Sequence, residues 1–408
     1  MRKEPETTHT LHPTNIRNLL TLRYDPEQKT TMPKLSWNDF TESSTNNIDR
    51  RIAEILKNVI LREVNKVSSN KVAISLGSGV DSTLVLVLLR ECYPNLDIHS
   101  ISAGFNDPSD ETKRAAKIAG MYDCEHHEVY IDNPFRDLPE QIGIVAEPRW
   151  NLYWYYVVKN SKSFSDVLFT GDGGDEMFGG YTFRYKKFLT LVKNKITWNE
   201  KAWIYLQCHE RDWVPDQGTL FGSKIKFNWR QILELLEPYF NNPLPPLGQV
   251  FLADFNGKLL FDWLPTNSRL YSYFQLHGVA PMLSKELISF ATHIPYRLKY
   301  DAKTNIGKIL LRRILKARKI YHISKRKQGF GPDVVLLWNR YGKDMAEYYL
   351  DKARIVEDTW INQAWIDSAF KRIKEKSETR YIAKMFSLLA FEIWYRIFIT
   401  KEMKNEAC

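Results

Sequence analysis

Six residues, Gly77-Ser78-Gly79-Val80-Asp81-Ser82, stand where a β-branched run at 71–76 (KVAISL) hands over to a strong helical pattern at 82–91. Small residues at such a turn let backbone N–H groups approach an anion, and the helix N-terminus adds favourable polarity. Two familiar phosphate loops do not fit. A dinucleotide fingerprint needs a glycine where Ser82 stands, and an acid at the end of the second strand, where 101–104 (ISAG) offer none. A Walker loop needs Gly-Lys-Ser/Thr, and no lysine is present. Asp81 settles what remains. A carboxylate beside phosphate is repulsive unless Mg²⁺ bridges them, so the loop calls for metal-chelated pyrophosphate.

A second constellation follows the fourth expected strand: Gly171-Asp172-Gly173-Gly174-Asp175-Glu176, then Phe178-Gly179-Gly180-Tyr181. Five glycines and three acids in ten residues exceed what a solvated turn needs. Glycines let the backbone fold back on itself. Asp175 can then share a Mg²⁺ with Asp81 across neighbouring loops.

The elements carrying these loops alternate. Apolar residues at helical spacing (Ile52, Ile55, Leu56, Val59, Ile60) predict an amphipathic helix over 47–64. Strands are expected at 71–76, 96–102, 125–131 and 166–170, with helices at 82–91, 110–121 and 153–159 between them. That alternation predicts an α/β fold with a parallel sheet covered on both faces and ligands at the carboxyl ends of its strands. Beyond residue 181 the strand signal fades and helical patterns run to Phe398, broken by a loop at 324–332. The expected organisation is an extended lead segment over 1–45, an α/β part over 46–185, a mainly helical part over 186–400, and a tail over 401–408.

The chain has 408 residues, 44% of them hydrophobic, enough for a sizeable core. No run of eighteen apolar residues predicts a membrane span, and the first thirty residues lack a signal-peptide core. Cys92, Cys124, Cys208 and Cys408 form no CxxC pair, which argues against a zinc site and fits a reducing cytoplasm. The net charge of +10 suits anionic substrates or nucleic acid, the former favoured. Part of it lies in Lys316, Arg318, Lys319, Lys325, Arg326 and Lys327. His126 and His127 are adjacent on an expected strand and point to opposite faces, so they cannot both serve one site.

The two loops resemble those of the asparagine synthetase family of PP-loop ATP pyrophosphatases, whose motifs run SGGxDS and SG(D/E)GxDExFGGY. The likeness covers about 47–398. It includes 102–105 (SAGF) with Asp110-Glu111, 124–129 (CEHHEV) and the final helix at 386–396 (FSLLAFEIWYR). It implies a PP-loop sheet, Rossmann-like and of the adenine nucleotide α-hydrolase type, with a helical C-terminal half. It also implies ATP and Mg²⁺, a small carboxylate substrate that is adenylated with release of pyrophosphate, and ammonia or an amine that displaces AMP. Carried over residue by residue, Asp81 and Asp175 match the metal ligands. Leu76, Gly77, Ser78, Gly79, Asp81, Ser82, Ala103, Gly104, Gly171, Gly173 and Glu176 match the ATP and pyrophosphate contacts. Asp172 matches the acid near substrate and intermediate, Lys308 the lysine facing the reaction centre, and Lys327 the basic residue of an RxKxGF loop.

The pattern breaks in three places. Gly77 stands where the family has serine. His277 and Val279 stand where asparagine synthetases carry a Glu and an Arg before Pro281, which puts aspartate as the substrate in question. The chain begins Met1-Arg2 rather than Met-Cys, and 16–34 loosely resemble the stretch joining two domains. The synthetase half is therefore expected to stand alone, with nitrogen from solution or a separate glutaminase. Two alternatives remain open. One is a PP-loop ligase for tRNA or a specialised metabolite, and the other is a nucleotide-binding paralogue without turnover.

Overall fold

The computed structural model describes residues 11–43, 46–67, 69–105, 107, 111–193, 196–320 and 330–405. Asp110 and the basic residues Lys325, Arg326 and Lys327 fall outside them.

Five strands build one sheet: β1 (Lys71–Ser75), β2 (Asp97–Gly104), β3 (Glu125–Tyr130), β4 (Val167–Phe169) and β5 (His277–Val279). Their order is β3-β2-β1-β4-β5 and every pair is parallel. Val72, Ala73, Ile74, Leu168 and Phe169 are buried throughout, as expected for strands with helices on both faces. Helices α1 (Pro13–Leu22), α2 (Ile48–Val64), α3 (Val80–Cys92), α4 (Thr112–Met121), α5 (Leu138–Val145), α6 (Trp154–Lys162) and α7 (Gly174–Phe178) belong to this half or adjoin it. In α2 the apolar stripe Ile52, Ile55, Leu56, Val59, Ile60 faces inward, and Arg50, Arg51 and Asn58 face out.

Chain order reverses at β1. The strands β2 and β3 lie to one side of it, β4 and β5 to the other. The carboxyl ends of β1 and β4 therefore flank a topological switch point, where a crevice opens between loops that leave in opposite directions. Both glycine loops emerge there.

Two expectations need correcting. Within residues 11–43 the lead segment is not extended throughout: α1 begins with Pro13 at its first turn, and its C-cap Arg23 adopts a left-handed φ of 71°. Ile16, Leu20 and Leu22 are buried, and Leu20 O accepts from Gln217 Nε2 (2.9 Å) and from Lys384 Nζ. The spacing Ile16, Leu19, Leu20 is helical, but it is too short to read until its partners from the far end of the chain are in place. Strand formation also does not stop at residue 181. His277-Gly278-Val279 adds β5 beside β4, pairing Leu168 with Gly278. Three residues with a central glycine are too short and too weak in strand propensity to read as a strand alone, so the open edge of β4 recruits them.

The rest of the chain is mainly helical, with a small antiparallel pair, Tyr300–Asp301 with Ile306–Gly307. The last helix, Thr379–Phe398, is buried on almost every side. Its one fully buried acid, Glu392, accepts from the backbone N–H of Arg354 (2.9 Å) and Ile355 (3.0 Å). Among the described residues no helix is long and apolar enough to cross a membrane.

Candidate active site

The loop after β1 is held by its own side chains. Ser82 Oγ accepts from Gly77 N–H (3.3 Å), and Thr83 Oγ1 donates to Gly79 O (2.7 Å). Gly79 caps α3. Ser78 N–H donates to Glu111 Oε2 (3.1 Å), so one loop amide already holds a carboxylate. That is the behaviour of an anion cradle. A Cβ on Gly77 would sit 3.4 Å from Glu111 Oε2, ordinary contact, so glycine is not sterically required there.

The second loop lies directly on the first. A Cβ on Gly171 would come 2.7 Å from Ser82 N, and one on Gly174 only 2.4 Å from Asp81 Cγ. Glycine is what allows the acid of one loop to rest against the backbone of the other. Asp81 and Asp175 are then joined by Lys308. Its Nζ pairs with Asp81 Oδ2 and with Asp175 Oδ1 (2.6 Å). Lys308 sits in a left-handed conformation (φ 56°) just before the helix Ile309–Ala317, and its N–H donates to Phe178 O (2.9 Å). It is buried rather than exposed on a helix surface. Arg312, one turn further on, shares that face and feels the charge of Asp81.

These residues fit a hard divalent cation. Carboxylate oxygens suit Mg²⁺, and Asp81 Oδ1 is buried and accepts no hydrogen bond from the described residues.

Asp172 stands at the mouth of β4. Its Oδ2 accepts from Thr170 Oγ1 (2.9 Å) and lies 3.5 Å from Asn267 Nδ2. Burial pushes its carboxyl up to about 6, against the opposing bonds from Thr170 and Trp263. Glu176 is turned inward onto Tyr181 Oη (2.5 Å), and burial pushes it up to about 7. Ala103 and Gly104 end β2, so the structure puts Leu76–Ser82, Ala103, Gly104 and Gly171–Asp175 at one end of the sheet.

Lys327 lies outside the described residues. His277 points outward and pairs with Glu63 (3.3 Å) on α2. Four participants had not been singled out as site residues. Thr170 and Asn267 hold Asp172, Glu111 occupies the loop amide, and Arg312 adds a second cation. Arg312 left a trace in its i, i+4 spacing from Lys308, and Glu111 in the family likeness of Asp110-Glu111.

A parallel sheet that reverses at β1, with two interleaved glycine loops at the reversal, defines the PP-loop class of α/β folds. The chain belongs to the asparagine synthase family, whose model matches residues 52–396. Glutamine-hydrolyzing asparagine synthetase 1 of Bacillus subtilis is 23% identical over 369 residues, 81% of this chain and 57% of that protein. A putative glutamine-hydrolyzing asparagine synthetase 2 of Methanocaldococcus jannaschii is 30% identical over 137 residues, 30% of this chain and 27% of that protein. The match thus spans little more than half the length of the first of these relatives and about a quarter of the second. A solved U34-tRNA thiolase from Methanococcus maripaludis is 15% identical, covering 73% of this chain and 88% of its own, with a TM-score of 0.25, too loose to bear on function.

Proposed function

We propose that this chain is an AMP-forming amide ligase that adenylates a small carboxylate and passes the acyl group to ammonia or an amine. The observation carrying the reading is the convergence of Asp81 and Asp175, from two glycine loops at the switch point, on the single ammonium of Lys308.

Asp81 and Asp175 would hold the Mg²⁺, which when bound neutralises the pyrophosphate as it leaves. The chain's own groups do the rest. The amides of 77–82 and the start of α3 bind the phosphates, in competition with Glu111. Lys308 and Arg312 bring positive charge to the leaving group without reorganisation. Asp172, fixed by Thr170 and Asn267, is mostly ionised at neutral pH and takes the proton the amine loses on attack. Most of the rate comes from positioning the carboxylate against the α-phosphate.

Aspartate is the first carboxylate to try, although His277, turned to Glu63, offers its α-carboxylate and amine nothing. The test incubates the protein with ATP, Mg²⁺, an amine donor and a panel of carboxylates, and follows AMP and pyrophosphate. Formation of both with one carboxylate supports the reading, and Asp81→Asn removes it while the melting curve persists. Release of ADP and phosphate instead, or no cleavage with any acid, argues against it.

A further inference from the structure

At the amino half of β2 and β3, away from the loops, three side chains converge on one face of the sheet. The register sets His99 directly opposite Glu125, and His127, two residues on, shares Glu125's face. His99 Nδ1 and His127 Nε2 stand 3.1 Å apart. Glu125 Oε2 is 3.6 Å from the first and Oε1 3.7 Å from the second. A tetrahedral site with bonds near 2.0–2.1 Å has ligand-to-ligand edges of about 3.3 Å, so these donors are spaced as such a site requires.

The surroundings agree. His99 is 5% exposed, and its other ring nitrogen, Nε2, has no hydrogen bond within the described residues but faces Asp97 Oδ1 at 3.5 Å. A carboxylate behind the distal N–H is the usual way to fix the tautomer of a metal-ligating histidine. Phe164 stacks on both rings, with centroids 5.0 Å from His99 and 3.8 Å from His127, and holds their planes nearly parallel. His126 points the other way, onto Ser100 Oγ (2.9 Å), so only one histidine of the pair takes part.

We propose that His99, Glu125 and His127 form a binding site for a borderline divalent cation of the Zn²⁺ type, separate from the ATP site. A hydrogen bond between the two rings would use one lone pair and one N–H, whereas a cation takes both lone pairs and brings in Glu125, which is otherwise largely exposed. The five residue steps from His99 to Gly104 place the site roughly 16 Å along the strand from the phosphate loops. The cation would clamp β3, at the edge of the sheet, to β2.

The site is tested with Co²⁺ as probe on the full-length, untagged protein. One equivalent should bind at micromolar concentration, give d–d absorption without thiolate charge transfer, and raise the melting temperature. His127→Asn and Glu125→Gln should weaken binding at least tenfold, while His126→Asn and Cys124→Ser leave it unchanged. His99→Ala serves as a further variant where its melting curve shows it folded. Absence of stoichiometric binding, binding that survives His127→Asn, or a thiolate band lost in Cys124→Ser would overturn the proposal. AMP formation by the ligase assay is a separate readout, so failure of one reading leaves the other standing.

Discussion

Replacing Lys308 with methionine leaves Asp81 and Asp175 facing each other without their shared cation. The three side chains are 10%, 15% and 19% exposed, so the cluster is mostly but not wholly desolvated. Breaking a buried ion pair from one side costs about 3–5 kcal/mol, and the residual exposure reduces that to about 2–4 kcal/mol. An unfolding entropy near 2.1 cal/mol/K per residue gives about 0.9 kcal/mol/K over 408 residues, so the melting temperature should fall by about 2–5 °C. Millimolar Mg²⁺ without nucleotide should recover more of this loss in the variant than it adds to the wild type, where it must first displace the ammonium. AMP formation should drop about 10²–10³-fold, because a charged donor beside the leaving group is gone. Melting curves with and without Mg²⁺, together with AMP release, measure all three. Equal stabilisation of both proteins by Mg²⁺, or a variant with wild-type activity, would refute the reasoning.

Three further outcomes are expected. Asp172 has its carboxyl raised to about 6, and the reading needs it ionised, so kcat/KM should fall as pH drops through about 6. Asp172→Asn should be slow and should lack that acid limb; an unchanged limb would assign it elsewhere. Gly77→Ser should melt within about 0.5 kcal/mol of wild type, because its Cβ meets only Glu111 at 3.4 Å. Gly174→Ala, whose Cβ would overlap Asp81, should instead lose AMP formation, and similar behaviour of the two variants would remove the steric argument. Asp212 is opposed by burial but held down to about 2 by Lys258 and Arg23, so it contributes stability above its unfolded value near 4. That contribution, about 2 kcal/mol, should be lost as pH falls from 4 through 2, and denaturant melts of Asp212→Asn should show a weaker acid dependence.

Much of this protein was legible in one dimension wherever the deciding physics is local. The strand-to-helix handover at Gly77–Ser82 follows from a β-branched run ending in small residues, and the glycine density at 171–180 announces backbones in close approach. The reading of Asp81 as a metal-bridging acid needed only the repulsion between carboxylate and phosphate. Four of the five sheet strands, and the helices α3, α4 and α6 between them, followed from periodicity, because burial on two faces and burial on one leave different patterns, whereas α5 (Leu138–Val145) was not expected.

Only the tertiary structure decided the rest. The strand order, with its reversal at β1, puts two loops about ninety residues apart in contact, and no local pattern encodes that neighbour relation. Lys308 reaches Asp81 across 227 positions of sequence, and Glu111 reaches Ser78 across 33. β5 exists because β4 has an edge to fill, and α1 is a buried helix because Gln217 and Lys384 receive it. His99 meets His127 only through the parallel register of β2 and β3. In each case the stabilising partner lies far along the chain, and the sequence of the segment itself carries no record of it.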